Sequence, residues 1–503
     1  MNKILSIGAV VVLLLFNACE KELNQVPFSQ ATTETFYAIP NDFIQGTNAI
    51  YSNLRTYPDR LLNLSETRSD NLYAISDGGV RDWEGINDFY KNLSTNPYIE
   101  EAWATNYNGI YKANVLLGQI EKNGSIITDE VLKKRLEAEA KFLRAFFYFD
   151  LVRIFGKVPI IDKVVTANEA LAIPRSAVAD VYKLIESDLQ FAVDNLPPVY
   201  TIAADRGRAT SYAARGILAL VYMTKSGPTY DIEGPGLASN EWGKAYTLLN
   251  KIVVDNKYAF VSNYADIFSY SNENNPEVIF DVQYNTGSNP VTGATFPWLL
   301  APDNWFTSLG KPVQGGLTIR PISNSLLSAY PANDTRKAFS IQNGYTGTGG
   351  VVETRSFFKK YIDLTKVPSS RVDWPINYIV LRYTDVLMLR AECVLNGGGG
   401  DVATEVIAPI NQIRARAGLT VPLVTLTIPQ LMEQRRLEFA GEGLRWHDLV
   451  RSGLVTTVIP AWDAADDIEN KMEPFTKDFV IYPIPYNQIN LKKDLYTQNK
   501  GYN

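Results

Sequence analysis

The sequence predicts a mainly α-helical protein, in which a scaffold of paired helices carries a loop-rich insert. Two observations lead to this prediction. Apolar residues recur at helical spacing along most of the chain, and turn-forming residues are concentrated between residues 256 and 375. The composition is that of a globular protein, because 46% of the 503 residues are hydrophobic and only 20% are charged.

The segment 132–155 has the clearest helical pattern. Its first apolar stripe has spacings of three and four residues, and three phenylalanines form a second stripe beside it. A helix with so wide an apolar face has little surface left for water, so we expect it in the core. The residues of the two stripes are Leu136, Ala140, Leu143, Phe147, Leu151 and Ile154, and then Phe142, Phe146 and Phe149.

Weaker helical patterns follow one another with short polar connections between them. Thr427, Pro429 and Gln430 have the spacing of a capping box and predict the start of another helix. Helices that arrive in pairs suggest stacked helical hairpins, although no repeat of fixed length is present. The predicted helical segments are 42–54, 98–120, 177–195, 211–224, 242–254, 378–395 and 405–417.

The amino-acid composition changes between residues 256 and 375. Turns rich in Gly, Pro and Asn alternate there with short β-prone runs such as 278–282. Loops on a rigid scaffold frequently carry binding residues, so we expect this insert to contribute to a binding site.

The N-terminus predicts an exported protein. Lys3 precedes an apolar run from 4 to 16 that is too short to span a bilayer, and Ala18 stands directly before Cys19. This arrangement resembles a bacterial lipobox, which implies a signal peptide at 1–18 and acylation of Cys19, although Phe16 and Asn17 depart from the usual motif. The alternative is an ordinary secretory signal with an incidental cysteine.

Charge and histidine content exclude several classes of function. The formal net charge is −6 and no long run of Lys or Arg occurs, so the sequence does not predict a nucleic-acid partner. His447 is the single histidine, which removes most zinc and Ser/His/Asp chemistry. No set of residues has the spacing of a metal site or predicts a cofactor.

Several sequence blocks occur in an order and at a spacing typical of one family. They are FYAIPNDFIQGTNAIYSNLR, WATNYNGIYKANVLLGQI, EAEAKFLRAFFYFDLVRIFGKVPI, GRATSYAARGILALVYM, RPISNSLLSAYPANDTR, YIVLRYTDVLMLRAEC, RRLEFAGEGLRWHDLVRSG and YPIPYNQI. Together they resemble the SusD/RagB family of nutrient-uptake outer-membrane lipoproteins, and the resemblance runs nearly from end to end.

The resemblance implies one SusD-like domain over residues 19–503. Tetratricopeptide-like helix pairs would form the scaffold at about 40–255 and 376–455, with the insert at about 256–375. It also implies a lipid-anchored protein on the cell surface that is not an enzyme. Such a protein captures a nutrient, most often an oligosaccharide, and passes it to a SusC-like TonB-dependent β-barrel transporter.

Oligosaccharide capture requires flat aromatic faces against the sugar ring and planar polar groups against its hydroxyls. Two loop regions supply both kinds of group, one near residue 80 and one near residue 300. For each tryptophan the alternatives are burial in the core, as we expect for Trp103, Trp242 and Trp446, or contact with the transporter. The predicted ligand-binding residues are Asp70, Asn71, Tyr73, Arg81, Trp83, Trp298 and Trp305.

Three other functions stay open at this point. The chain could be a peptide-binding member of the same family, or a structural subunit whose loops meet only the transporter. A glycoside hydrolase using Glu438 and Glu442 is also conceivable, since these carboxylates are four residues apart on a predicted helix. Arginines interleave with both acids, however, and should keep them ionised, so we expect ion pairs instead of a proton donor.

Overall fold

The computed structural model describes residues 36–75, 81–312, 316 and 318–502. Helices dominate this part of the chain, as predicted. They are α1 (Pro40–Tyr51), α2 (Tyr57–Leu61), α3 (Asp82–Asn87), α4 (Pro97–Asn123), α5 (Glu130–Phe155), α6 (Ala167–Ala170), α7 (Val178–Asn195), α8 (Ser211–Ser226), α9 (Trp242–Val254), α10 (Asp303–Ser308), α11 (Asn324–Ala329), α12 (Thr335–Ser340), α13 (Tyr383–Leu395), α14 (Ala408–Arg416), α15 (Ile428–Phe439), α16 (Arg445–Ser452), α17 (Val455–Asp466) and α18 (Tyr486–Ile489).

The long helices pack one against the next. α5 lies between α4 and α7, α8 lies between α7 and α9, and α9 in turn packs against α13. This succession of helices in contact with their neighbours confirms the predicted mainly helical architecture with helix pairs of the tetratricopeptide type.

α5 is the core helix that the two stripes predicted. Asp129 caps its N-terminus by accepting hydrogen bonds from the backbone N–H groups of Val131 and Leu132. Phe147 is completely buried and packs so closely on α4 that a Cβ at Gly109 would lie 2.3 Å from its ring. Glycine at that position therefore permits the close approach of the two longest helices.

One predicted helix was wrong at its beginning. Residues 378–395 do not form a single helix, because Tyr378–Arg382 is strand β4, and α13 starts only at Tyr383. The apolar residues of this strand include Tyr378 and Leu381, which are both buried, so the segment is apolar on every side and helical and extended patterns look alike.

Within the described residues, four strands form two small antiparallel sheets. β1 (Val278–Val282), which coincides with the predicted β-prone run, pairs with β4. The second sheet is a hairpin of β2 (Ile341–Thr346) and β3 (Val352–Phe358). Between 256 and 375 the described α-helices have six residues each, so loops make up most of this segment; the exact boundaries of the insert stay a prediction.

A buried network of charges joins the C-terminal helices to the rest of the protein. Glu438 on α15 accepts from Arg382 Nη1 at 2.9 Å, from Arg416 Nη2 at 2.6 Å and from Arg336 Nη1 at 3.0 Å. Glu442 binds Lys360 Nζ at 2.6 Å and Arg382 Nη2 at 2.9 Å. The predicted ion pairs at these two acids are therefore confirmed.

The predicted signal peptide and Cys19 lie outside the described residues. Within the described ranges, none of the helices combines the length and the apolar character that crossing a membrane requires. In those same ranges no group of three or more His, Cys, Asp or Glu side chains is arranged to hold a metal ion.

Candidate functional site

A groove of about 220 Å3 brings together the two loop regions that the sequence singled out. Its walls come from the start of α3, the start of α4 and the insert. The lining residues are Arg81, Asp82, Trp83, Tyr98, Trp298, Leu299, Gly316, Thr318 and Arg320.

Asn96 fixes the first wall by tying two helix starts together. Its side-chain amide donates to the carbonyl of Asp82 at 2.8 Å, and its Oδ1 accepts from the backbone N–H of Tyr98 at 3.0 Å. As the N-cap of α4, Asn96 thus holds Tyr98 beside α3. Trp83, in the first turn of α3, is almost completely buried, and the small surface that it leaves free lines the groove.

The opposite wall is a tight turn in the insert. Trp298 and Leu299 lie on the 3₁₀ turn Phe296–Leu299, and Trp298 is only half-buried. Gly316 closes the wall, because its N–H donates to Ala301 O and its carbonyl accepts from Asp303 N, both at 2.8 Å. Trp298 therefore presents part of its ring to solvent on a backbone held by hydrogen bonds.

Arginine side chains make the groove cationic. Arg320 is buried, and its guanidinium carbon lies 5.4 Å from the centre of the Trp83 ring. Arg371 lies 5.9 Å from the Trp298 ring and forms an ion pair with Asp303 at 3.3 Å. Each tryptophan that lines the groove is thus accompanied by a guanidinium group, as in a cation–π pair.

A buried carboxyl group lies next to this wall. Asp59 accepts a hydrogen bond from Thr295 Oγ1 at 2.5 Å, and burial raises its pKa from 3.8 to about 7 despite that bond. The charge of Arg320 opposes this shift and lowers the pKa of the same carboxyl group. Asp59 therefore keeps its proton to a higher pH than an ordinary carboxyl group does.

Three predicted site residues line the groove, and they come from both predicted regions: Arg81, Trp83 and Trp298. Tyr73 does not line it. Its ring is buried, and its N–H donates to the carbonyl of Pro321, the residue after Arg320, at 3.0 Å.

The prediction for Asp70 and Asn71 is corrected by the structure, since both side chains are inside the protein. Asp70 is 1% exposed, and its oxygens bind Arg445 Nε at 2.8 Å and Arg436 Nη2 at 3.1 Å. Burial alone would raise the pKa of Asp70, but these two guanidinium groups lower it to about 2. Asn71 donates to Glu66 Oε1 and accepts from Arg436 Nε, each at 2.8 Å.

Trp305 is corrected in the same way. It is 4% exposed, and its ring lies 5.1 Å from that of Phe306 and 5.2 Å from that of Phe357. This aromatic cluster is part of the core of the insert, and Trp305 does not line the groove. The tryptophans expected in the core, Trp103, Trp242 and Trp446, are confirmed as buried.

Sequence reasoning missed Tyr98, Leu299, Thr318 and Arg320. Tyr98 was expected only as the beginning of a helix, and that expectation was also right. Arg320 lies in the block RPISNS, where no local pattern distinguishes a cavity from the core. Asn96 could have indicated where α4 starts, but a capping residue does not tell which other segment the helix start contacts.

The geometry at Glu438 does not favour hydrolysis. Glu438 is fully buried, and although burial raises its pKa, Arg416, Arg382 and Arg336 together lower it below the usual 4.5. A glycosidase needs one carboxyl group that keeps its proton near neutral pH and an open site for the sugar. Glu438 meets neither condition.

Comparison with known proteins identifies the family. A model described as "Starch-binding associating with outer membrane" matches residues 29–223, and the model of the SusD family matches residues 333–502. The chain belongs to the SusD family. The resemblance noted in the sequence blocks is therefore confirmed.

Several members of the SusD family are similar over most of the chain. SusD-like protein P25 of Formosa agariphila is 26% identical over 90% of both chains, and the starch-binding protein SusD of Bacteroides thetaiotaomicron is 25% identical over 78% of this chain and 76% of its own.

Solved structures agree with this fold. A laminarin-binding SusD-like protein is 26% identical with a TM-score of 0.73, covering 93% of this chain and 100% of its own. Surface glycan-binding protein A of Bacteroides thetaiotaomicron, solved with laminarihexaose, has a TM-score of 0.77 at 22% identity, over 92% of this chain and 99% of its own.

Proposed function

We propose that this SusD-family protein is a cell-surface lipoprotein that binds an oligosaccharide and passes it to a SusC-like TonB-dependent transporter. The observation that carries the proposal is the groove itself, in which two tryptophans and two arginines from distant segments line one cavity. Aromatic faces combined with a few convergent polar groups are what a small-molecule site requires. Family members whose names record starch or laminarin binding support an oligosaccharide as the ligand.

The lining of the same groove supports binding without catalysis. No carboxyl pair with the spacing and pKa contrast of a glycosidase lines it, since Asp82 is its single acidic wall residue among those described. The ligand leaves by transfer and not by reaction, so we expect modest affinity. Cys19 would supply the membrane anchor, and multiple acyl chains at about 0.8 kcal/mol per buried methylene hold a protein firmly on a membrane.

A binding screen tests the proposal. Purified protein is incubated with a panel of oligosaccharides and, separately, with a panel of peptides, and the unfolding temperature is measured. A ligand that binds only the native state raises that temperature, so we expect shifts with oligosaccharides. Shifts with peptides alone would make the chain a peptide-binding member of the family. New reducing ends in the oligosaccharide samples would contradict the proposal that no bond is broken.

Transfer to a partner needs its own test. Co-expression with a SusC-like transporter, followed by purification through a tag on this chain, should recover both proteins. The Cys19→Ser variant should lose palmitate labelling and membrane association, while the folded domain keeps its unfolding temperature. Recovery of membrane-bound, labelled Cys19→Ser protein would refute the anchor.

A further inference from the structure

Arg320 differs from most of the other buried arginines of the described residues. Most buried arginines of the described residues form an ion pair with a carboxylate; the pairs include Arg60 with Asp150, Arg144 with Asp188, Arg435 with Asp448 and Arg451 with Glu392. Arg320 instead donates to neutral oxygens, Asn63 Oδ1 at 2.8 Å and Thr67 Oγ1 at 3.2 Å. Burying a charge without a counterion lowers the stability of the folded state, so the presence of this charge requires an explanation.

Nearby acids do not supply the missing charge. No carboxylate among the described residues forms an ion pair with Arg320. Burial is the main cause that lowers the pKa of Arg320 from 12.5; the hydroxyl of Tyr98, which is hydrogen-bonded to it, opposes that shift first, and Asp59 comes after it. Burial raises the pKa of Asp59 itself to about 7, so its carboxyl group is less readily ionised than an ordinary one. Asp82 lines the same groove but is exposed, so water screens its charge.

Two other buried arginines also lack a carboxylate, and they show how such a charge is otherwise accommodated. Arg68 donates to the carbonyls of Ile86 and Phe479 and lies 4.3 Å from the centre of the Phe89 ring. Arg390 donates to Asn250 Oδ1 at 2.9 Å. Neither of them lines the groove, whereas Arg320 does, so a ligand has access to its charge.

Arg81 adds a second guanidinium to the same wall. It is half-buried, and its Nε is buried without a hydrogen-bond partner among the described residues. A guanidinium group has five donors arranged to meet the paired oxygens of a carboxylate or sulfate. Two guanidinium groups thus line one small volume, and neither forms an ion pair with a carboxylate of the described residues.

We propose that this groove selects acidic oligosaccharides, whose carboxylate or sulfate group binds Arg320 and Arg81 while the sugar ring contacts Trp83 and Trp298. The inference rests on the proposed function and narrows it from oligosaccharides in general to those bearing a negative charge. It does not follow from the relatives, since the laminarin and starch in their names are neutral glucans.

Isothermal titration calorimetry with three arms of oligosaccharides tests the inference. One arm carries carboxylates (oligogalacturonate and alginate oligomers), one carries sulfates (carrageenan oligomers and dextran sulfate), and one is neutral (laminarin, starch and dextran oligomers). Each acidic ligand that binds is then neutralised by carboxyl reduction or by desulfation. We expect binding in an acidic arm, loss of it after neutralisation, and an affinity that falls as NaCl is raised.

The variants Arg320→Gln and Arg81→Gln identify the groove as the place of binding. Each should weaken the binding of the acidic ligand about 10- to 100-fold, the usual range for a charge-assisted hydrogen bond. Arg206→Gln is the matched control, because Arg206 is exposed beside another cavity of about 220 Å3 and its loss changes the net charge equally. That control should bind as the unaltered protein does.

Thermal unfolding separates a binding role from a structural one. Arg320→Gln removes a charge that has no counterion, so the unfolding temperature without ligand should stay the same or rise. Arg435→Gln leaves Asp448 and Asp385 without their partner, so it should unfold at a clearly lower temperature. If Arg320→Gln does not fold, the half-buried Arg81 carries the test by itself.

The outcomes distinguish the two proposals. Binding confined to the neutral arm, or acidic binding that survives neutralisation and both arginine variants, would overturn the selection of acidic ligands and leave oligosaccharide binding intact. Failure to bind any member of the three arms would count against the proposed function, and the inference would fall with it.

Discussion

Replacing Trp298 by alanine is the sharpest test of the binding mode. Trp298 is half-buried on a turn held by backbone hydrogen bonds, so the variant should fold while losing the flat surface that contacts a sugar. A tryptophan buries about 200 Å2 in all, and a ring stacked on the free side covers about half of that. At about 25 cal/mol per Å2 this corresponds to about 2.5 kcal/mol, or roughly 70-fold in affinity, as an upper limit.

The assay is calorimetric titration of the unaltered protein and the Trp298→Ala variant with the best ligand of the screen, beside thermal unfolding of both. We expect a dissociation constant about 10- to 70-fold weaker, with little change in unfolding temperature. Tyr111→Ala is the matched control. Tyr111 is 50% exposed on α4, and at 1.5 Å per residue it lies about 20 Å along the helix from Tyr98. Equal affinity of Trp298→Ala and the unaltered protein would refute stacking at this position.

Three further predictions concern stability. Trp305→Ala should lower the free energy of unfolding by about 3–5 kcal/mol in urea titrations, because it empties a space in the aromatic cluster, yet the folded variant should bind ligand normally. Glu438→Gln should cost about 3–5 kcal/mol by the same assay, since three arginines lose their shared carboxylate, whereas Glu433→Gln, at a side chain 39% exposed, should cost little; equal losses would contradict the network. Raising the pH from 5 to 8 should lower the unfolding temperature, because Asp59 and Asp88, both with a pKa of about 7, must give up protons that the folded state holds more tightly than the unfolded chain. Each group contributes at most about 1.4 kcal/mol per pH unit, and Asp59→Asn should flatten this dependence; an unaltered slope would contradict the burial of that carboxyl group.

The local sequence pattern was sufficient to predict the helices of the scaffold. Helices α4, α5, α7, α8 and α9 follow the predicted segments closely, because helical periodicity is a local property that packing then reinforces. The strand at Tyr378–Arg382 was missed because its local pattern does not distinguish a strand from a helix. It is buried on nearly all sides, and such a run lacks the alternation that separates a strand from a helix.

The candidate site was predictable by region but not residue by residue. Arg81, Trp83 and Trp298 line the groove as expected, since turn-rich sequence raises the chance that an aromatic side chain stays accessible. Asp70 has the same composition around it, yet its arginine partners are 366 and 375 residues away in the sequence. No local pattern reports such a pairing. Arg320 could not be found from the sequence either. The proposed role of Arg320 depends on its having no carboxylate partner among the described residues, and a local sequence pattern does not show this.

The groove between Trp83 and Trp298 is where we expect the sugar to bind. A crystal structure of the protein with the best oligosaccharide of the screen would locate the ligand. We expect electron density for a sugar ring against Trp298, with its acidic group within hydrogen-bond distance of Arg320 and Arg81. Density in the cavity beside Arg206, with the groove holding only water, would contradict it.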